Sequence, residues 1–128
     1  MNGIHPNGIL TLPVPSGATV GKGDVIALDG SGAIVPVASG AIVGIALDAA
    51  DAGSLVPVAL FGAYPGTVLA KASSGVTGAP GNFMLTDGTV VGSAPNSTGG
   101  TVIGVVIAPA DADGLVEIAP VVPLHYAG

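Results

Sequence analysis

Residues 40–60 read GAIVGIALDAADAGSLVPVAL, and residues 100–120 read GTVIGVVIAPADADGLVEIAP. The two stretches align without a gap, sixty residues apart. Gly40/Gly100, Gly44/Gly104, Ala50/Ala110, Asp51/Asp111, Ala52/Ala112, Leu55/Leu115, Val56/Val116 and Ala59/Ala119 are identical. Most other pairs exchange one aliphatic residue for another. An internal match at fixed spacing reads as a repeated structural unit. Upstream, GDVIALDG at 23–30 is echoed by GNFMLTDG at 81–88, an offset of 58. The repeat is therefore expected over about 23–60 and 81–120.

The secondary structure follows from this pair. Val56, Val58 and Leu60 alternate with Pro57 and Ala59, as Val116 and Ile118 alternate with Glu117 and Ala119. Side chains two apart share a strand face, so the aliphatic set points inward and Glu117 outward. AIVGIAL at 41–47 and TVIGVVI at 101–107 do not alternate. Unbroken apolar strands are covered on both faces, and a second chain is one source of that cover. The loops DAADAG and PADADG are too short for stable helices. Short strands separated by Gly, Pro and Asp-Gly turns predict an all-β fold, a small barrel or sandwich. Residues 1–14, with Pro6 and Pro13 and followed by Pro15, read as an extended N-terminal arm or edge segment. Residues 15–128 read as one β domain.

Composition narrows the function. The chain has 128 residues, of which 49% are hydrophobic and 8% charged, with 22 glycines and 11 prolines. That apolar content separates it from disordered Gly/Pro-rich chains. With only Lys22 and Lys71 basic and a net charge of −6, nucleic acid is not an expected partner. Pro-broken apolar stretches without flanking cations argue against a membrane span. No basic segment opens the chain, so no signal peptide is expected. The absence of cysteine removes thiolate chemistry.

No motif builds a catalytic or metal centre. GATVGKG at 17–23 imitates a phosphate loop, but Ser16 replaces its first glycine and Gly23 its Ser/Thr. Asp48, Asp51, Asp111 and Asp113 supply too few oxygens for a calcium loop. His5 and His125 are the only imidazoles, one near each end, and no G-x-S-x-G elbow exists. Asn96-Ser97-Thr98 reads as a polar loop. No catalytic residue, metal or cofactor is expected.

The order of segments is similar to that in capsid cement, or head decoration, proteins of tailed bacteriophages. Thr11–Val14 precedes SGATVGKGDVIALDG at 16–30 and AIVGIALDAADAG at 41–53. VPVALFG at 56–62, TVLAK at 67–71, GNFMLTDG at 81–88 and TVIGVVIAPADADGLVEI at 101–118 follow. The resemblance covers about residues 10–120 and rests on the order of these segments. It implies a non-enzymatic virion protein on the outer surface of the head, a homotrimer bracing major capsid proteins. The apolar arm and the tail supply the expected capsid or subunit contacts: Ile4, His5, Pro6, Ile9, Leu10, Leu12, His125 and Tyr126. Prolines in the arm limit the entropy lost on docking, and an extended arm adds readily to a sheet edge. A virion-surface module that binds host glycans is the alternative; it would need exposed aromatics, and only Tyr64, Tyr126, Phe61 and Phe83 exist.

Overall fold

In the computed structural model, residues 8–28, 33–34, 41–92 and 100–126 are described, and the expectations for Ile4, His5 and Pro6 lie outside them. The described residues form strands and turns and no helix, so the fold is all-β. The chain divides into two compact units, Met1–Pro65 and Gly66–Gly128.

Unit 1 holds β1 (Ile9–Pro13), β2 (Thr19–Val20), β3 (Val25–Leu28), β4 (Ala33–Ile34), β5 (Ala41–Ala46), β6 (Ala50–Asp51) and β7 (Leu55–Leu60). Five of them form an antiparallel sheet in the order β1-β7-β5-β3-β4, and β2 pairs with β6. Leu12, Val14, Val20, Ile26, Ala46, Val56 and Val58 bury together, with Leu10 and Val43 packed against them. Five of the residues read as an arm or edge segment belong to this sheet. From Ile9 to Pro13 they form an edge strand whose partners are Ala59 to Leu55. Pro13 ends this strand at no cost to the ladder, as its nitrogen faces away from β7.

Unit 2 holds β8 (Val68–Lys71), β9 (Phe83–Leu85), β10 (Val90–Val91), β11 (Gly100–Ala108) and β12 (Leu115–Tyr126). Their order is β10-β9-β11-β12-β8. Taken from the other edge, this is the order of unit 1, with β8 in the place of β1 and β12 in that of β7. The registers correspond as well. Gly44↔Leu60 and Ala46↔Val58 stand against Gly104↔Pro120 and Val106↔Ile118. Ile26↔Gly44 and Ala27↔Ile42 stand against Met84↔Gly104 and Leu85↔Val102, each with a bulge between them. The bulge leaves Val43 and Ile103 as the extra residues. Turn bonds match too: Gly23 N–H to Ala46 O at 2.9 Å, and Gly81 N–H to Val106 O at 2.8 Å.

Gly44 and Gly104 are identical in sequence for a visible reason. A Cβ on Gly44 would overlap the Ala59 carbonyl oxygen and stand 2.6 Å from Val58 Cγ1. One on Gly104 would stand 2.7 Å from Ile118 Cδ1 and 2.8 Å from the Ala119 oxygen. Both backbones pass too close to the neighbouring strand for any side chain.

The units diverge where their sequences do. β5 stops at Ala46, after which the Leu47 N–H donates to Pro57 O at 2.9 Å. Pro57 has no N–H to return, so that ladder ends. Glu117 stands at the matching place of unit 2, and β11 continues to Ala108, paired with it. β12 also runs on to Tyr126, through residues read from the sequence as the tail.

The two non-alternating strands bury neighbouring residues. Gly44, Ile45 and Ala46 are buried in succession, as are Val102, Ile103 and Gly104. This occurs within one chain, so these strands do not by themselves demand a second copy.

Leu55 and Leu115 align between the two matching stretches of sequence but differ in exposure, 61% against 8%. Leu115→Ala is expected to cost about 2–3 kcal/mol in urea unfolding. Leu55→Ala is expected to stay within about 0.5 kcal/mol. Equal costs would contradict this burial.

Candidate interaction surface

Acidic side chains near the turns are engaged in local hydrogen bonds. Asp111 Oδ1 accepts from the N–H groups of Asp113 at 2.8 Å and Leu115 at 3.1 Å. Asp87 Oδ1 accepts from the Thr89 N–H at 2.9 Å and its hydroxyl at 2.6 Å. Asp24 Oδ2 accepts from the Gly21 N–H at 2.8 Å. These carboxylates close turns, as Asp side chains do where the backbone needs an acceptor. Glu117 Oε2, on β12, accepts from the hydroxyl of Thr67, the residue before β8, at 2.6 Å. Among the described residues no group of three or more His, Asp or Glu side chains gathers as metal ligands would. Lys22 and Lys71 are exposed, one in each unit.

The expected contact residues separate into three sets. Leu12 is 5% exposed and belongs to the unit 1 core. Leu10 packs on the same core, and Ile9 lies on the opposite face, half-buried. His125 and Tyr126 are strand residues of β12, paired with Thr101 and Gly100.

The surface is more informative in its backbone than in its side chains. The Leu60 N–H donates to Gly8 O at 3.0 Å, and the Val14 N–H donates to Ser54 O at 2.9 Å. Both are directly opposed pairs of the β1–β7 register. Antiparallel bonding alternates, so Leu10 and Leu12 also bond toward β7. Ile9, Thr11 and Pro13 therefore turn their backbone groups to the outer edge. On β8 the Ala72 N–H donates to Gly114 O at 3.0 Å, which turns Leu69 and Lys71 outward.

Sequence reasoning did not single out Thr11, nor the exposed apolar side chains of Leu55, Ile107 at 47% and Val122 at 70%. A signal for Thr11 exists: it shares its parity with Pro13, the residue that has no N–H to place. Ile107 and Val122 sit at irregular places in the β11–β12 ladder, which no local pattern announces.

A family model described as phage cement protein matches residues 4–120. No curated protein and no solved structure matches the chain.

Proposed function

Since this chain belongs to the phage cement protein family, we propose that it binds the outside of the phage head and braces neighbouring major capsid proteins. Its role is capsid-associated and structural, and the family match over residues 4–120 is the observation that carries the reading. The working unit in this reading is a homotrimer on the outer surface of the virion. The exposed apolar side chains of Leu55, Ile107 and Val122 support it, because such groups are covered at interfaces between chains. Residues 1–7, with Ile4, His5 and Pro6, and the end of β12, with His125 and Tyr126, supply further contacts.

The attachment is apolar and backbone-mediated. Two lysines in a chain of net charge −6 make no cationic patch, and exposed ion pairs contribute little. Co-sedimentation with expanded capsids tests the reading. Binding is expected, with affinity changing less than about threefold between ~0.1 and ~1 M salt, because screening does not reach buried apolar contact. Failure to sediment with capsids would reject the cement role. A steep loss of binding with salt would reject the apolar mechanism alone. Isolated monomers in virion density would reject the trimer.

A further inference from the structure

We propose that the outer edge of β1 is a strand-docking site, and that its occupant is an extended segment of the major capsid protein. The inference rests on the cement reading and names the surface through which it works.

A free strand edge offers unpaired N–H and C=O groups, and natural sheets shield such edges with short length, charge or proline. β4 and β10 are two residues long. β8 carries the exposed Lys71 among its outward residues. β12 beyond Ile118 is interrupted by Pro120 and Pro123. Only β1, among these edges of the two five-stranded sheets, is longer than two residues, free of charge and without a proline inside its length. Its single shield is Pro13 at the far end.

The outward groups of β1 are the N–H and C=O of Ile9 and Thr11 and the C=O of Pro13. No hydrogen bond engages them among the described residues. Two donors and three acceptors in strand spacing fit one kind of occupant, an extended backbone. Its side chains would meet Ile9 and Thr11, both half-buried and uncharged. An anionic chain with an uncharged edge also excludes few partners by charge, while the ladder fixes their register.

The topology supplies a clean probe. Thr11→Pro removes an N–H that β7 does not use, at the same parity as the natural Pro13. It should fold, since proline is tolerated on a sheet edge where its nitrogen faces outward. Leu69→Pro makes the same change on the outer edge of β8. Co-sedimentation with expanded capsids is expected to show Thr11→Pro weakened about 30-fold or more, through a lost bond and a ring set in the docking path. Leu69→Pro is expected to bind within about twofold of the natural chain, its outward donor being equally idle. Equal binding by Thr11→Pro and the natural chain would overturn the inference and leave the cement role standing. Equal loss in both variants would overturn it as well. A natural chain that does not bind capsids would overturn both.

Amide exchange on the natural chain decides the matter if Thr11→Pro does not fold. Two further amides in the segment 8–14 are expected to slow at least about tenfold on capsids, those of Ile9 and Thr11, as newly bonded amides do. No added protection would overturn the inference. Protection already present in the free protein and lost on dilution would assign the edge to a second copy, which overturns it too.

Discussion

A chain lacking residues 1–13 does not fold cooperatively, whereas a chain lacking residues 1–7 melts as the full chain does. The longer deletion removes the whole of β1. With it go Leu12 from the core of unit 1 and Leu10 from its margin. Burial of these two side chains stabilises by about 3 kcal/mol together. The β1–β7 bonds at Gly8, Leu10 and Leu12 add about 1 kcal/mol per position. Val56 and Val58 would also lose their cover along β7. A total near 6 kcal/mol is comparable with the ~5–15 kcal/mol of an entire domain. The shorter deletion touches no described strand. Circular dichroism on heating distinguishes the two, and a native-like transition in the longer deletion would refute this account. The distinction has a practical side: poor capsid binding by the longer deletion would report unfolding, not a lost contact.

Gly44→Ala is the single substitution expected to cost most, about 3 kcal/mol or more, by overpacking. The added methyl meets the Ala59 carbonyl, a backbone group in the middle of a paired strand. Neither partner has room to retreat without breaking the β5–β7 ladder. Gly104→Ala meets the Ile118 Cδ1, the tip of a side chain that can turn, and the Ala119 carbonyl oxygen at 2.8 Å, a shallower backbone overlap than the one at Gly44. Its cost is expected to be smaller, about 1–2 kcal/mol. Urea midpoints of the two variants give the test. The reverse order, or a neutral Gly44→Ala, would show that the two strands are not so close.

Much of the fold was legible because strand parity is a local signal. Val56 and Val58 are buried while Pro57 is half-exposed, as alternation requires, and Val116, Glu117 and Ile118 repeat the pattern. The Asp87-Gly88 turn was equally plain, with Gly88 at φ 84° and Asp87 holding Thr89. Pro13 suits an arm or an edge segment alike, and an edge strand accepts proline wherever the nitrogen points outward. β12 runs past Pro120 and Pro123, where an irregularity opposite Val102 and Gly104 absorbs the extra residues. The candidate surface was less legible. Ile9, Leu10 and Leu12 were grouped by apolar character, yet Leu12 is a core residue and the free groups of β1 belong to its backbone. Leu55 and Leu115 are the same residue at the start of β7 and of β12, and nothing local tells that only one is buried.

The placement of the two lysines has a use outside the capsid. Lys22 and Lys71 are the only side-chain amines, both exposed, and one lies in each unit. No cysteine competes for reagents. Once the α-amino group of the chain is blocked, coupling a dye or ligand through these amines modifies each unit at one known side chain, and Lys→Arg exchange leaves a single address. The protein thereby offers a display scaffold with two separately programmable attachment points, and any engineered cysteine becomes a third with its own chemistry.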